Sequence, residues 1–214
     1  MHGRITTDSG HTKITTPGDL SVRIMPLSHG QNPTVYRSSA FFIRHDPSAK
    51  EFLFFGDVEP DELATERLLV HVWREAASKF PGTMDTMFIE CSWPSGRKDE
   101  ELYGHLTPEH LVNELKSFAA EVMACRTESS GPSKKRQRLE NRNTYANVLD
   151  GLKVFIIHCK EDLEGKHGRP MREVITDQVR ELVLASGLGA TVLSAIQGTR
   201  IGMSNMKAVC SCRC

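Results

Sequence analysis

The chain has no excess of charge of either sign: Lys plus Arg number 27 and Asp plus Glu number 27, so the formal net charge at pH 7 is zero. That balance excludes the global basic field that draws a protein onto nucleic acid. Long apolar runs are also missing, and nothing approaches the roughly 20 residues that span a bilayer. The opening Met1-His2-Gly3-Arg4-Ile5-Thr6-Thr7 lacks the apolar segment of a signal peptide. No membrane partner, no nucleic acid and a cytoplasmic location are therefore expected. Cys91, Cys125 and Cys159 stand far apart and read as small half-buried thiols. Cys210, Cys212 and Cys214 form a C-x-C-x-C tail without the fourth ligand and C-x₂-C spacing usual for zinc. Residues 202–214 read as a Cys-rich tail, a frayed terminus or misread gene end.

A chain of 214 residues, 39% hydrophobic and 25% charged, can bury one sizeable domain. Residues 1–20 are a polar lead-in, and the domain is expected over 21–201. Phe52-Leu53-Phe54-Phe55 is an apolar run suited to a strand buried on both faces, ended by Gly56-Asp57. Thr86-Met87-Phe88-Ile89 leads likewise into Glu90-Cys91-Ser92, and Val154-Phe155-Ile156-Ile157 into His158. Ser21–Leu27 reads as a strand delivering His29, and Ala40–Ile43 as the hairpin partner of Phe52–Phe55 with Pro47 in the turn. Helices are expected over Asp61–Lys79, from Thr107 with Pro108 at its first position, and over Met171–Leu184; a last strand covers Ala190–Ile196. Polar residues 126–147 read as a solvated, disordered insertion, and their Lys134-Lys135-Arg136-Gln137-Arg138 cluster as an anion-binding or nuclear-import patch at most. The alternation of strands and helices gives an α/β class.

Chemistry collects at the C-terminal ends of strands in such folds. There this chain sets His29, Asp57, Glu90 with His105, and His158. Each alone has an ordinary explanation as a turn or surface residue. Together, imidazoles and a carboxylate are the donors that hold a borderline divalent ion such as zinc. Glu90 and His105 suit a pair in which the carboxylate orients the imidazole and raises its basicity.

Pro26-Leu27-Ser28-His29-Gly30, Arg37–Ile43 and Phe55-Gly56-Asp57-Val58-Glu59-Pro60-Asp61 resemble, in order, blocks of the class II cyclic-nucleotide phosphodiesterases. Phe88–Ser92, Leu102-Tyr103-Gly104-His105-Leu106-Thr107-Pro108, Val154–Lys160 and Gln197–Ile201 continue the resemblance. It implies a metallo-β-lactamase-like αββα sandwich (α+β sandwich type) around two Zn²⁺, hydrolysing cyclic AMP, with cyclic GMP as a second candidate substrate, by a metal-bridged hydroxide. His29, Asp57 and His158 are then metal ligands, and Glu90 with His105 the pair that protonates the leaving 3′-oxygen.

The family's first metal motif, His-x-His-x-Asp-His, is absent: before Val22 there are only His2 and His11. The three remaining ligands serve at most one open site. One half of the sandwich is expected to be missing, with a second copy or an N-terminal portion covering the exposed sheet. Two other readings follow: a non-catalytic, partner-binding remnant of the fold, or another hydrolase on it, such as a transfer-RNA 3′-end nuclease. The nuclease needs the same missing motif, and would cleave structured RNA rather than cyclic AMP.

Overall fold

The computed structural model describes residues 10–13, 19–31, 34–129, 144–162 and 165–202. The Lys134–Arg138 cluster and the cysteines of the tail lie outside them. One seven-stranded sheet runs in sequence order from β1 (Thr12–Lys13) through β2 (Leu20–Gln31), β3 (Val35–His45), β4 (Lys50–Phe55), β5 (Met84–Glu90) and β6 (Lys153–Ile157) to β7 (Thr191–Ser194). β1 to β4 pair antiparallel and β4 to β7 parallel. Because β3 reverses direction twice over, β2 points the same way as β4, β5 and β6. Their C-terminal ends therefore share one edge.

The parallel steps need crossovers, which α1 (Leu69–Ala77), α2 (Pro108–Ser129) and α3 (Met171–Ser186) provide. Successive right-handed crossovers in one direction place all three helices on the same face. The alternation of the strands agrees: Leu53, Phe55, Met87, Ile89, Val154 and Ile156 point to the helices and are buried. Trp73 of α1 anchors this core, its ring 5.3 Å from both Phe55 and Phe118.

The opposite face tells the other half of the story. Ile24, Phe41, Phe54, Phe88, Phe155 and Leu193 are lateral neighbours on β2 to β7 and form one apolar row across six strands. Phe88 stacks on Phe155 at 5.0 Å and lies 6.0 Å from Phe54. No helix covers this row among the described residues: Ile24 is 59% exposed and Phe54 36%. The expected mixed α/β class is met, as one sheet with one helical layer.

Three expectations shift. The lead-in is partly built in: His11 is fully buried, 3.1 Å from Glu51, which also accepts a 2.8 Å bond from Lys79. Burial holds the His11 pKa below its usual value against the pull of Glu51. The helix expected from Asp61 begins only at Leu69. Asp61 does not join it but caps it from outside, accepting from the Leu69 and Val70 N–H groups at 3.0 and 2.8 Å. The intervening residues are tied back to the sheet, with Glu66 bound by Arg37 through both oxygens. Finally, residues 126–129 of the expected insertion continue α2, and residues 144–150 form turns that bury Val148 and Leu149.

Glu114 of α2 links these layers. Its carboxylate accepts from the indole of Trp73 at 2.9 Å and from the Asp61 N–H at 2.9 Å. Burial, reinforced by the charges of Asp61 and Glu62 and opposed by those two bonds, pushes its pKa up to about 7. The folded chain keeps this proton where the unfolded chain has lost it, so stability is greatest below the unfolded pKa and falls as pH rises through 7. Between about pH 5 and pH 7.5 the Glu114→Gln variant should lose most of a decline of about 2 kcal/mol seen in the parent. Urea unfolding at both pH values measures it, and an unchanged pH slope in the variant would contradict the assignment.

Candidate metal centre

Each candidate side chain is delivered by a strand end. His29 lies near the end of β2, Asp57 follows β4, Glu90 is the last residue of β5, and His158 follows β6. His105 comes from the loop that leads into α2. Its arrival depends on two glycines. Gly30 (φ +81°) and Gly104 (φ +79°) pass backbone to backbone, and a Cβ on Gly104 would lie 2.8 Å from the His29 carbonyl carbon and oxygen. This approach sets the His29 and His105 rings 5.0 Å apart, and His105 in turn stacks on His158 at 5.3 Å.

Hydrogen bonds fix which nitrogens are free. His29 Nδ1 donates to the Gly104 carbonyl at 2.9 Å, leaving the Nε2 lone pair toward Asp57, 3.5 Å away. His105 Nδ1 donates to Glu90 at 2.8 Å, leaving its Nε2 available. Glu90 is completely buried and is satisfied from three sides, by His105, by the Val58 N–H at 2.6 Å and by the Ser92 hydroxyl. His158 differs. Its Nδ1 is 3.7 Å from Asp57, while Lys160 Nζ lies 2.8 Å from its Nε2. Its backbone is left-handed (φ +56°), a strained conformation for histidine that aims the ring back across the edge.

The donor set suits a divalent ion. Ligand atoms of His29, Asp57 and His105 all lie within 4.8 Å of one another, and His158 adjoins Asp57. Imidazoles with one shared carboxylate are zinc-type ligands. Among the described residues this is enough for one ion with an open position; a second ion needs donors from elsewhere. The neighbouring thiols lie outside this donor group; burial pushes Cys159 up to about 11 and raises Cys91 well above its usual value. Burial also raises the Glu59 carboxyl, opposed by its bond with the Gly30 backbone.

The five residues singled out from the sequence thus gather at one edge. Sequence reasoning missed the partners that hold them: Ser92, Lys160, and the Gly30–Gly104 contact. Gly104 had a legible signal, since Tyr103-Gly104 in a polar loop marks a turn. Nothing local marked its contact with Gly30.

One sheet with helices on a single face and a His/Asp edge defines a mixed α/β protein with a candidate metal centre. Residues 5–198 match the family described as cAMP phosphodiesterases class-II. The chain belongs to that family, which is a family of enzymes. It is 43% identical over 109 residues to the 3′,5′-cyclic-nucleotide phosphodiesterase of Schizosaccharomyces pombe, covering 50% of this chain and 31% of that protein. The 3′,5′-cyclic-nucleotide phosphodiesterase of Aliivibrio fischeri is 35% identical over 180 residues, covering 84% of this chain and 45% of the relative. The crystal structure of unliganded yeast PDE1 superposes with a TM-score of 0.67 at 25% identity, covering 86% of this chain and 46% of that one. The chain spans less than half the length of these relatives. No helix among the described residues is long and apolar enough to cross a membrane.

Replacing Gly104 by Ala should lower stability by roughly 1–3 kcal/mol and weaken zinc uptake by displacing His29. Gly96→Ala is the control, because Gly96 has the same positive φ (+84°) but nothing within 4 Å of its Cβ position. Denaturant midpoints and zinc titration compare them; equal effects would remove the close approach as the cause.

Proposed function

We propose that this chain supplies one wall of a 3′,5′-cyclic-nucleotide phosphodiesterase site, and that cyclic AMP hydrolysis is the activity of the whole to which it belongs. The observation that carries the reading is the Glu90–His105 pair beside the His29–Asp57 donors, inside a family match that covers nearly the whole chain. His29, Asp57 and His158 would hold the metal, which when bound acidifies water and draws charge from the phosphoryl oxygens.

The chain's own residues then do the following. Water adds to phosphorus and the bond from phosphorus to the 3′-oxygen breaks, leaving a 5′-monophosphate. The departing 3′-oxygen takes a proton from His105 Nε2, and the proton that the attacking water sheds restores the imidazolium afterwards. Glu90, buried and accepting the Nδ1–H, stabilises the imidazolium that carries that proton. Ser92 and the Val58 N–H keep the carboxylate aimed at His105 rather than at solvent.

The uncovered aromatic row fits the same reading. The relatives are more than twice as long as the matched segment, and we assign the cover of this face, where Ile24 and Phe54 are most exposed, to the remainder of such a longer polypeptide.

Metal content tests the assignments. The purified chain should bind about one Zn²⁺, lost in His29→Ala, Asp57→Ala and His158→Ala and kept in His105→Ala, with no turnover of cyclic AMP. Loss in His105→Ala with retention in His158→Ala would exchange the two roles. Two ions with turnover would overturn the reading as a partial site.

A further inference from the structure

Beside the metal edge lies a cavity of about 560 Å³, opened between the loops that follow β5 and β6 and floored by Met171 at the start of α3. It falls within the size range of sites for small organic ligands. Trp93 and Arg97 form one wall, and Lys160 stands at its junction with the metal edge, lining the cavity while its ammonium touches His158. The wall is already in place. The indole Nε1 of Trp93 donates to the Leu102 carbonyl at 3.0 Å, and its backbone N–H to Leu106 at 3.2 Å. The Arg97 guanidinium lies 3.6 Å from the Trp93 ring centre, anchored by a 2.8 Å bond from its Nε to the Glu101 carbonyl.

We propose that this cavity receives the base of the nucleotide, with the Arg97–Trp93 plate as its stacking surface and Lys160 at the phosphate end. This rests on the phosphodiesterase reading and adds where the substrate's other half is bound. A purine offers the larger flat face, and guanidinium and indole planes are surfaces on which unpaired bases stack. Because the plate is clamped at both members, stacking costs little further ordering. Glu161 and Asp162 also line it, so the cavity carries acceptors as well as cations. A phosphate at the metal edge with its base in this cavity would lie across the ends of β5 and β6, the crevice outside the carboxyl ends of parallel strands.

Tryptophan emission reads this directly. The chain has two tryptophans, and Trp73 is fully buried. In the zinc-loaded chain 5′-AMP should quench emission saturably, with the quench lost in Trp93→Phe, whose fold is checked by circular dichroism. Ribose 5-phosphate, which keeps sugar and phosphate but lacks the base, should bind about tenfold more weakly by calorimetry. Arg97→Gln should weaken 5′-AMP by a similar factor and leave ribose 5-phosphate and zinc uptake unchanged. Equal affinities for the two ligands, with no effect of Arg97→Gln, would place the base elsewhere and leave the phosphodiesterase reading standing. No binding of 5′-AMP, cyclic AMP or inorganic phosphate to the zinc-loaded chain would overturn both.

Discussion

The Glu90 carboxylate sits at the end of β5 with no access to solvent, where an unpaired charge would cost several kcal/mol. Its three donors come from two connections, Val58 after β4 and both Ser92 and His105 from the one between β5 and α2. Val58 follows the metal-ligand candidate Asp57, His105 arrives from the segment before α2, and Ser92 also touches the His158 carbonyl at 2.9 Å. The price of burying this one charge is thus met by joining the ends of β4, β5 and β6. If any donor were removed, the carboxylate would seek another and the edge would lose its alignment. The remaining geometry of the site follows from that requirement and from the Gly30–Gly104 contact, which brings β2 into the same group.

Strand ends were legible in the sequence because these strands are apolar on both faces, although only the helix-facing side is packed as expected and Phe54 on the other is 36% exposed. Phe52–Phe55, Thr86–Ile89 and Val154–Ile157 therefore stood out, and the residues after them fell on one edge. Asp61–Lys79 was misjudged for the opposite reason. Leu63 and Leu68 extend the helical period, but Asp61 satisfies the free N–H groups of α1 from outside the helix, and periodicity carries no trace of a long-range cap. The same holds for His11. A lone histidine in a polar segment gives no sign that it will be buried against Glu51, forty residues away, since only the folded sheet brings them together.

The two faces of the sheet obey different constraints. The helix face is closed by α1, α2 and α3 and holds Trp73 between two phenylalanines. The other carries an aromatic row in register across the strands, with nothing over it among the described residues. Family membership and the short span relative to the relatives belong with this asymmetry. The chain has the side chains that position a proton and part of a metal shell, but only one layer of the walls that would exclude water from them.

The segment between α2 and β6 has a consequence of a different kind. It leaves the helix after Ser129 and rejoins the described chain at Thr144, ahead of Lys153, the first residue of β6. It is thus attached where β6 begins, whereas His158 stands where β6 ends. Length and composition can drift at one rim of the sheet while the opposite rim keeps its spacing. Such a layout lets a lineage try new addresses or contacts in that connection without retuning the chemistry.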